Sequence, residues 1–304
     1  MKKYVQEATD INIWTSIKNN TFGRNKDIKE FIDGLELIDE SACISLDAKW
    51  GDGKTFFVRQ IEEVLKYVLA NQRADEENPI EKLPSYEYLK DNEMMAKIDL
   101  KHSYLPIYYN AWMYDNHSDP LMSLLLVMTK TCRGVYDTKI DSEKISKKLV
   151  EALATLPISL GEFKANPFTA IEKLQGKSMD ILSLVQTEEE IRERVKGIFN
   201  DIIVERAQKL VIFIDELDRC RPSFAIEMLE RIKHYFDDER VIFVVSLNKE
   251  QLIHTITNYY GSGFDATRYL NKFFDVNINL PAMDKYQKQT LEFSEQQTEG
   301  KFWL

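Results

Sequence analysis

Two short stretches hold the residues whose types and spacing could do chemistry. The first is Cys43–Thr55, which reads C-I-S-L-D-A-K-W-G-D-G-K-T. An apolar run leads into a glycine-containing loop, and Lys54-Thr55 opens a helical pattern that continues F-F-V-R-Q-I-E-E-V-L-K-Y-V-L. This layout cradles phosphate. Gly51 and Gly53 let the backbone turn with its N–H groups pointing inward, around a triphosphate. The helix presents its N-terminal N–H groups and positive dipole end to the same anion. Lys54 supplies positive charge for the β- and γ-phosphates. Thr55 offers a hydroxyl to Mg²⁺, whose shell is octahedral and built of oxygen. The consensus spacing wants glycine at position 48, and this chain has Ala48. A methyl there is an obstacle only if the residue needs positive φ. Nucleotide contacts are expected from Ala48, Lys49, Trp50, Gly51, Asp52, Gly53, Lys54, Thr55 and Phe56.

The second stretch is Leu210–Arg219, L-V-I-F-I-D-E-L-D-R. Five apolar residues in a row predict a strand buried on both faces, as in a parallel sheet. Acids at its carboxyl end land beside the phosphate loop, because strand ends in open α/β sheets face the ligand. Asp215 is expected to hold Mg²⁺, together with Thr55. Glu216 is expected to polarise the attacking water as general base. Arg219 either stabilises transition-state charge or pairs with Asp218 to hold the turn; Arg221 and Arg268 are further candidates for the first role. Arg240–Asn248 predicts another buried strand. Asn248 at its end either senses the γ-phosphate or caps the helix that Lys249-Glu250-Gln251 opens. The candidate catalytic set is thus Lys54, Glu216, Asn248 and Arg219.

The elements that must position these residues follow from periodicity. Ile13 and Ile17 suit a short helix, and Ile28, Phe31, Ile32 and Leu35 one face of a second. Such a segment just ahead of a phosphate loop often packs near the adenine ring; the other use is a plain N-terminal helix. Residues 71–93 are polar, with Pro79 and Pro84, and read as an excursion over the surface. Leu105–Trp112 predicts a strand. Asp119-Pro120 starts a helix, Leu121–Cys132, that is apolar almost all round and should be buried. A capping box at Thr187–Glu190 starts another helix, with Ile191 to Ile203 on one side. Asp275–Leu280 alternates as a last strand. The expected organisation is an N-terminal helical segment over 1–40, a core over 41–132 and 209–281, a helical insertion over 133–208, and a polar tail over 282–304.

Composition narrows the function. The net charge of −10 over 304 residues argues against a non-specific nucleic-acid binder, which needs a basic surface. The three cysteines, Cys43, Cys132 and Cys220, are scattered and form no C-x-x-C pair, so neither a disulfide framework nor a zinc site is indicated and a reducing cytoplasm fits. No stretch reaches the roughly 18 apolar residues of a membrane helix, so membrane association is expected only through a partner. The N-K-x-D base reader of G-nucleotide proteins is missing, since Asn248-Lys249 is followed by Glu250-Gln251.

Taken in order, A-K-W-G-D-G-K-T, Y-N-A-W at Tyr109–Trp112, F-I-D-E-L-D-R-C-R-P, V-V-S-L-N-K-E-Q-L, Y-L-N-K-F-F-D and I-N-L-P resemble the KAP family of P-loop NTPases. Trp50 inside the loop is a family trait. The resemblance spans about Thr21 to Pro281, with the middle insertion unmatched. It implies an α/β, additional-strand P-loop fold akin to AAA and signal-transduction ATPases, a three-layer sandwich on a mostly parallel sheet. It implies ATP and Mg²⁺ as ligands, and a regulatory role that in bacteria is often exclusion of bacteriophage. Many relatives carry transmembrane helices between the two motifs, where this chain has a polar insertion. A hydrolysing switch that meets a protein partner or its own copies is the expected function. A non-hydrolysing ATP-binding scaffold is the alternative.

Overall fold

The computed structural model describes residues 7–75, 79–117, 119–134, 207–235 and 238–281, with four isolated helical positions at 193, 196, 197 and 200. The expected helix over 191–203 apart from those four positions, the remaining insertion residues between 135 and 206, and the tail over 282–304 lie outside these residues.

Five strands form one sheet: β1 (Ala42–Asp47), β2 (Tyr104–Asn110), β3 (Lys209–Asp215), β4 (Val241–Leu247) and β5 (Val276–Asn279). Their order is β2-β3-β4-β1-β5, and every pairing is parallel. β4 therefore lies between the strand that feeds the phosphate loop and the strand that ends in Asp215. The additional strand is present in the position the fold class requires. β3 and β4 are buried at every residue, which is why they read as unbroken apolar runs.

Parallel neighbours need crossovers, and helices supply them. On one face lie α1 (Asp10–Asn19), α2 (Asn25–Leu35), α3 (Lys54–Gln72) and the short α4 (Tyr86–Leu89). On the other lie α5 (Pro120–Gly134), α6 (Pro222–Tyr235), α7 (Lys249–Tyr260) and α8 (Ala266–Leu270). Each face closes its own apolar core, giving three layers. Ile13 and Ile17 of α1 are buried, as are Ile28, Phe31, Ile32 and Leu35 of α2. The Leu121 N–H donates to Asp119 Oδ1 at 2.8 Å, so Asp119 caps α5.

The described part of the excursion over 71–93 runs mostly exposed, with Ser85 and Leu89 as its buried residues, and Met94, Met95 and Leu100 just beyond it join the same core as α1 and α3. Its apolar residues are too sparse to show a period, so the polar majority hid them. The last strand is present as β5, an edge strand: Ile278 and Leu280 pack toward the α1–α3 core while Val276, Asn277 and Asn279 are exposed.

Cys43 and Cys220 are buried free thiols. Among the described residues no helix is long and apolar enough to cross a membrane.

Candidate functional site

The carboxyl ends of β1, β3 and β4 bring the two chemical stretches together. After β1 the chain passes through Ala48, whose N–H still donates to Leu247 at the end of β4, 3.2 Å. Gly51 and Gly53 take φ of +89° and +79°. Ala48 does not lie at positive φ, so its methyl is no obstacle, and the glycine missing from the consensus is not needed there. A Cβ on Gly51 would meet nothing within 4 Å, so glycine is required at 51 by backbone conformation and not by space. Gly53 is the N-cap of α3, and Lys54, Thr55 and Phe56 form its first turn.

The Lys54 side chain folds back over the loop, and Nζ donates to the carbonyls of Ala48 at 2.6 Å and Lys49 at 3.3 Å. Burial lowers its pKa below that of an ordinary lysine, against the opposing charges of Asp218, Asp215, Asp47 and Asp52. Those four carboxylates converge on one ammonium from β1, β3 and both loops. Thr55 and Phe56 are half-buried, while Lys49 and Trp50 are exposed on the outer side of the loop.

Asp215 is 1% exposed. Its Oδ2 accepts from the Tyr108 hydroxyl at 3.0 Å, and its Oδ1 from the Glu216 N–H at 3.0 Å. Burial and Asp215 together raise the Tyr108 pKa, which keeps the phenol a donor. Glu216 itself has φ +60°, a left-handed conformation that costs a non-glycine residue about 1 kcal/mol or more. Its Oε1 meets Arg219 Nη1 at 2.9 Å and its Oε2 accepts from Asn110 Nδ2 at 3.3 Å. Burial raises the Glu216 pKa above the usual carboxylate range; Arg219 opposes the shift and Asp215 adds to it.

The partner of Arg219 is therefore Glu216, and the expected Asp218–Arg219 pair is replaced. Arg219 also lies over the Trp112 ring, 5.8 Å from its centroid. Asp218 turns the other way and accepts from Trp50 Nε1 at 2.6 Å. Asn248 caps α7, its Oδ1 accepting from the Gln251 N–H at 3.2 Å. The adjacent Lys249 N–H donates to Asp47 at 2.9 Å, tying the end of β4 to the end of β1. Arg221 is committed to Asp115, through its own N–H at 2.9 Å and its guanidinium. Arg268 is exposed on α8, where its N–H completes the Asp265 cap.

The KAP family P-loop domain matches residues 24–301. The chain belongs to the KAP family. Among solved structures, a Walker-type ATPase of Pyrococcus abyssi matches with 11% identity and a TM-score of 0.36, covering 88% of this chain and 55% of that one. This chain thus spans little more than half the length of that protein. No curated protein matches in sequence. Three features of this KAP domain's site escaped sequence reasoning: Tyr108 on Asp215, Asn110 on Glu216, and the Trp50–Asp218 bond. Tyr108 and Asn110 are two apart on β2 and share a face, and the β2–β3 register sets Asn110 opposite Asp215. Polar residues at the end of an otherwise apolar strand were the available signal.

Proposed function

We propose that this KAP domain binds Mg·ATP and hydrolyses it as a regulatory switch. The observation that carries the reading is the convergence of Asp215 and Glu216 on the lysine-bearing phosphate loop across β4. In this reading Ala48, Lys49, Trp50, Gly51, Asp52, Gly53, Lys54, Thr55 and Phe56 line the nucleotide. Lys54 exchanges its loop carbonyls for β- and γ-phosphate oxygens. Thr55 and Asp215 would hold Mg²⁺, and the residues fit: Asp215 is a buried carboxylate whose orientation is set by Tyr108. Among the described residues no group of three or more His, Cys, Asp or Glu forms a metal cage, and an ion ligated largely by phosphate and water needs none. When bound, Mg²⁺ neutralises phosphate charge as it develops.

Glu216 takes a proton from the attacking water. Its burial favours a carboxylate basic enough for that task. Asn110 aims it, and Arg219 has two uses, as the counter-ion of Glu216 at rest and as a charge for the γ-phosphate in action. Asn248, at the end of β4, would sense the γ-phosphate, while its Oδ1 caps α7. The exposed Trp112 and Met113 beside Arg219 offer a surface for a protein partner or a second copy. The regulatory part, including bacteriophage exclusion and a cytoplasmic location, draws on the family resemblance.

A second reading is an ATP-binding scaffold without turnover. It draws on Glu216 having both carboxylate oxygens engaged, by Arg219 and Asn110. Steady-state phosphate release by wild type, Lys54→Ala and Glu216→Gln separates the two. Turnover that both substitutions abolish supports hydrolysis. Mg·ATP binding through Lys54 with no turnover supports the scaffold.

A further inference from the structure

Four charged residues of α3, Arg59, Glu62, Glu63 and Lys66, form a network that reaches α1. Glu62 and Glu63 are 3% and 5% exposed, and carboxylates this deep need partners. Arg59 Nη1 and Lys66 Nζ pair with the two oxygens of Glu62, the lysine at 2.7 Å. Lys66 also reaches Glu63 at 2.8 Å, and the Trp14 indole N–H of α1 donates to Glu63 at 2.6 Å. Arg59 Nη2 reaches Asp10, the first residue of α1, at 2.8 Å. Burial works against the guanidinium charge, but Glu62, Glu63 and Asp10 outweigh it and leave the Arg59 pKa raised.

Arg59 makes one contact that this pairing of charges does not call for. Its guanidinium lies over the Tyr108 ring, 4.8 Å from the centroid. Tyr108 is the residue whose hydroxyl donates to Asp215 Oδ2 at 3.0 Å. Its neighbours on β2, Ile107 and Tyr109, are fully buried, whereas Tyr108 is half-buried. Packing alone therefore does not fix its ring, and Arg59 covers part of what packing leaves open. A cation over the ring also draws electron density from it, which makes the phenol O–H a stronger donor. Both effects bear on the same bond, the one to Asp215.

We propose that Arg59 is a positioning residue for Asp215, acting through the Tyr108 ring, with Asp10 of α1 holding the guanidinium from the outer side. The proposal rests on the Mg·ATP reading above, in which Asp215 is a Mg²⁺ ligand. The line Asp10, Arg59, Tyr108, Asp215 crosses from α1 through α3 and β2 to the end of β3. A counter-ion for Glu62 alone would be served equally by lysine. A residue that acts through an aromatic ring would not, because the lysine ammonium is a point charge on a shorter stem and does not replace a guanidinium at a stacked site.

Equilibrium dialysis of ATP at stepped Mg²⁺ concentrations tests this in wild type, Arg59→Lys, Tyr108→Phe and the double variant. The quantity read is the Mg²⁺ concentration for half-maximal ATP binding. Arg59→Lys should raise it about two- to fivefold, the worth of one cation–ring contact. In the Tyr108→Phe background Arg59→Lys should add nothing, because the hydroxyl it acts on is gone. Arg59→Lys keeps the charge that Glu62 needs and is expected to fold, which circular dichroism checks. Asp10→Asn, at an exposed residue, removes the outer anchor and should move the requirement the same way, so the test does not depend on one variant. A requirement in Arg59→Lys and Asp10→Asn equal to that of wild type, or a rise that persists undiminished in the Tyr108→Phe background, overturns the positioning role and leaves the Mg·ATP reading intact. ATP binding by wild type that ignores Mg²⁺, or no ATP binding at all, overturns that reading and the positioning role with it.

Discussion

Trp50 donates its indole N–H to Asp218 across 2.6 Å, although 168 positions separate them in sequence. The bond joins the tip of the phosphate loop to the turn that carries Asp215 and Glu216. The indole is otherwise 55% exposed, so its position is set by this bond more than by packing. One residue thereby holds the two halves of the site in register. Trp50→Phe keeps an aromatic ring and removes the donor. Losing a charge-assisted bond at a half-exposed site should weaken Mg·ATP binding roughly three- to tenfold. Thermal unfolding should move little, and nucleotide titration checks the first part.

Tyr108 orients Asp215 from the neighbouring strand. Tyr108→Phe leaves the core filled and frees one carboxylate oxygen. Outer-shell partners of metal ligands are typically worth 10- to 100-fold in metal affinity, so the Mg²⁺ concentration for half-maximal turnover should rise about tenfold. Saturating Mg²⁺ should restore most of the rate. An unchanged Mg²⁺ requirement would remove Tyr108 from the metal site.

The acid limb of the pH–rate profile should report Glu216. A general base must be ionised, and burial holds the Glu216 pKa above the ordinary carboxylate range. Turnover should therefore fall as pH falls through that raised value. Arg219 is the cation that opposes the rise. Arg219→Gln removes it, so the limb should move to higher pH, by an amount tempered because the guanidinium is partly screened by solvent. A limb that stays in place would separate Arg219 from the base.

Two glycines should respond in opposite directions. Gly34 sits in α2 at negative φ, and a Cβ there meets nothing within 4 Å. Gly34→Ala should stabilise the fold by about 0.5–1 kcal/mol. Gly51 has equal room but φ +89°. Gly51→Ala should cost about 1 kcal/mol or more and loosen nucleotide binding. Chemical denaturation of both variants measures the contrast.

Much of this was legible in sequence because the signals are local. An unbroken apolar run marks a strand buried on both faces, and β3 and β4 read that way; β1 reads as the apolar run that feeds the phosphate loop. The loop glycines, Lys54 and the acids after β3 are also local patterns. What stayed hidden depends on the sheet. Strand order decides that Asp218 faces Trp50, and no periodicity encodes that pairing; Arg219 meets Glu216 three residues away within one short turn, where the left-handed backbone of Glu216 aims the pair. Arg24 reads as a turn residue, yet it is buried between the phosphate loop and Pro281. Leu89, Met94 and Met95 were missed because single apolar residues in a polar, proline-containing stretch carry no period.

The most direct test of hydrolysis at this site is a single-turnover phosphate-release assay, with ATP binding measured in parallel for wild type, Lys54→Ala and Glu216→Gln. Wild type should bind Mg·ATP and release phosphate. Lys54→Ala should lose binding, and Glu216→Gln should keep bound ATP while release slows at least about 100-fold, the usual scale of a lost general base. Release from Glu216→Gln at the wild-type rate would contradict the assignment of Glu216 as the base and with it the switch built on that residue.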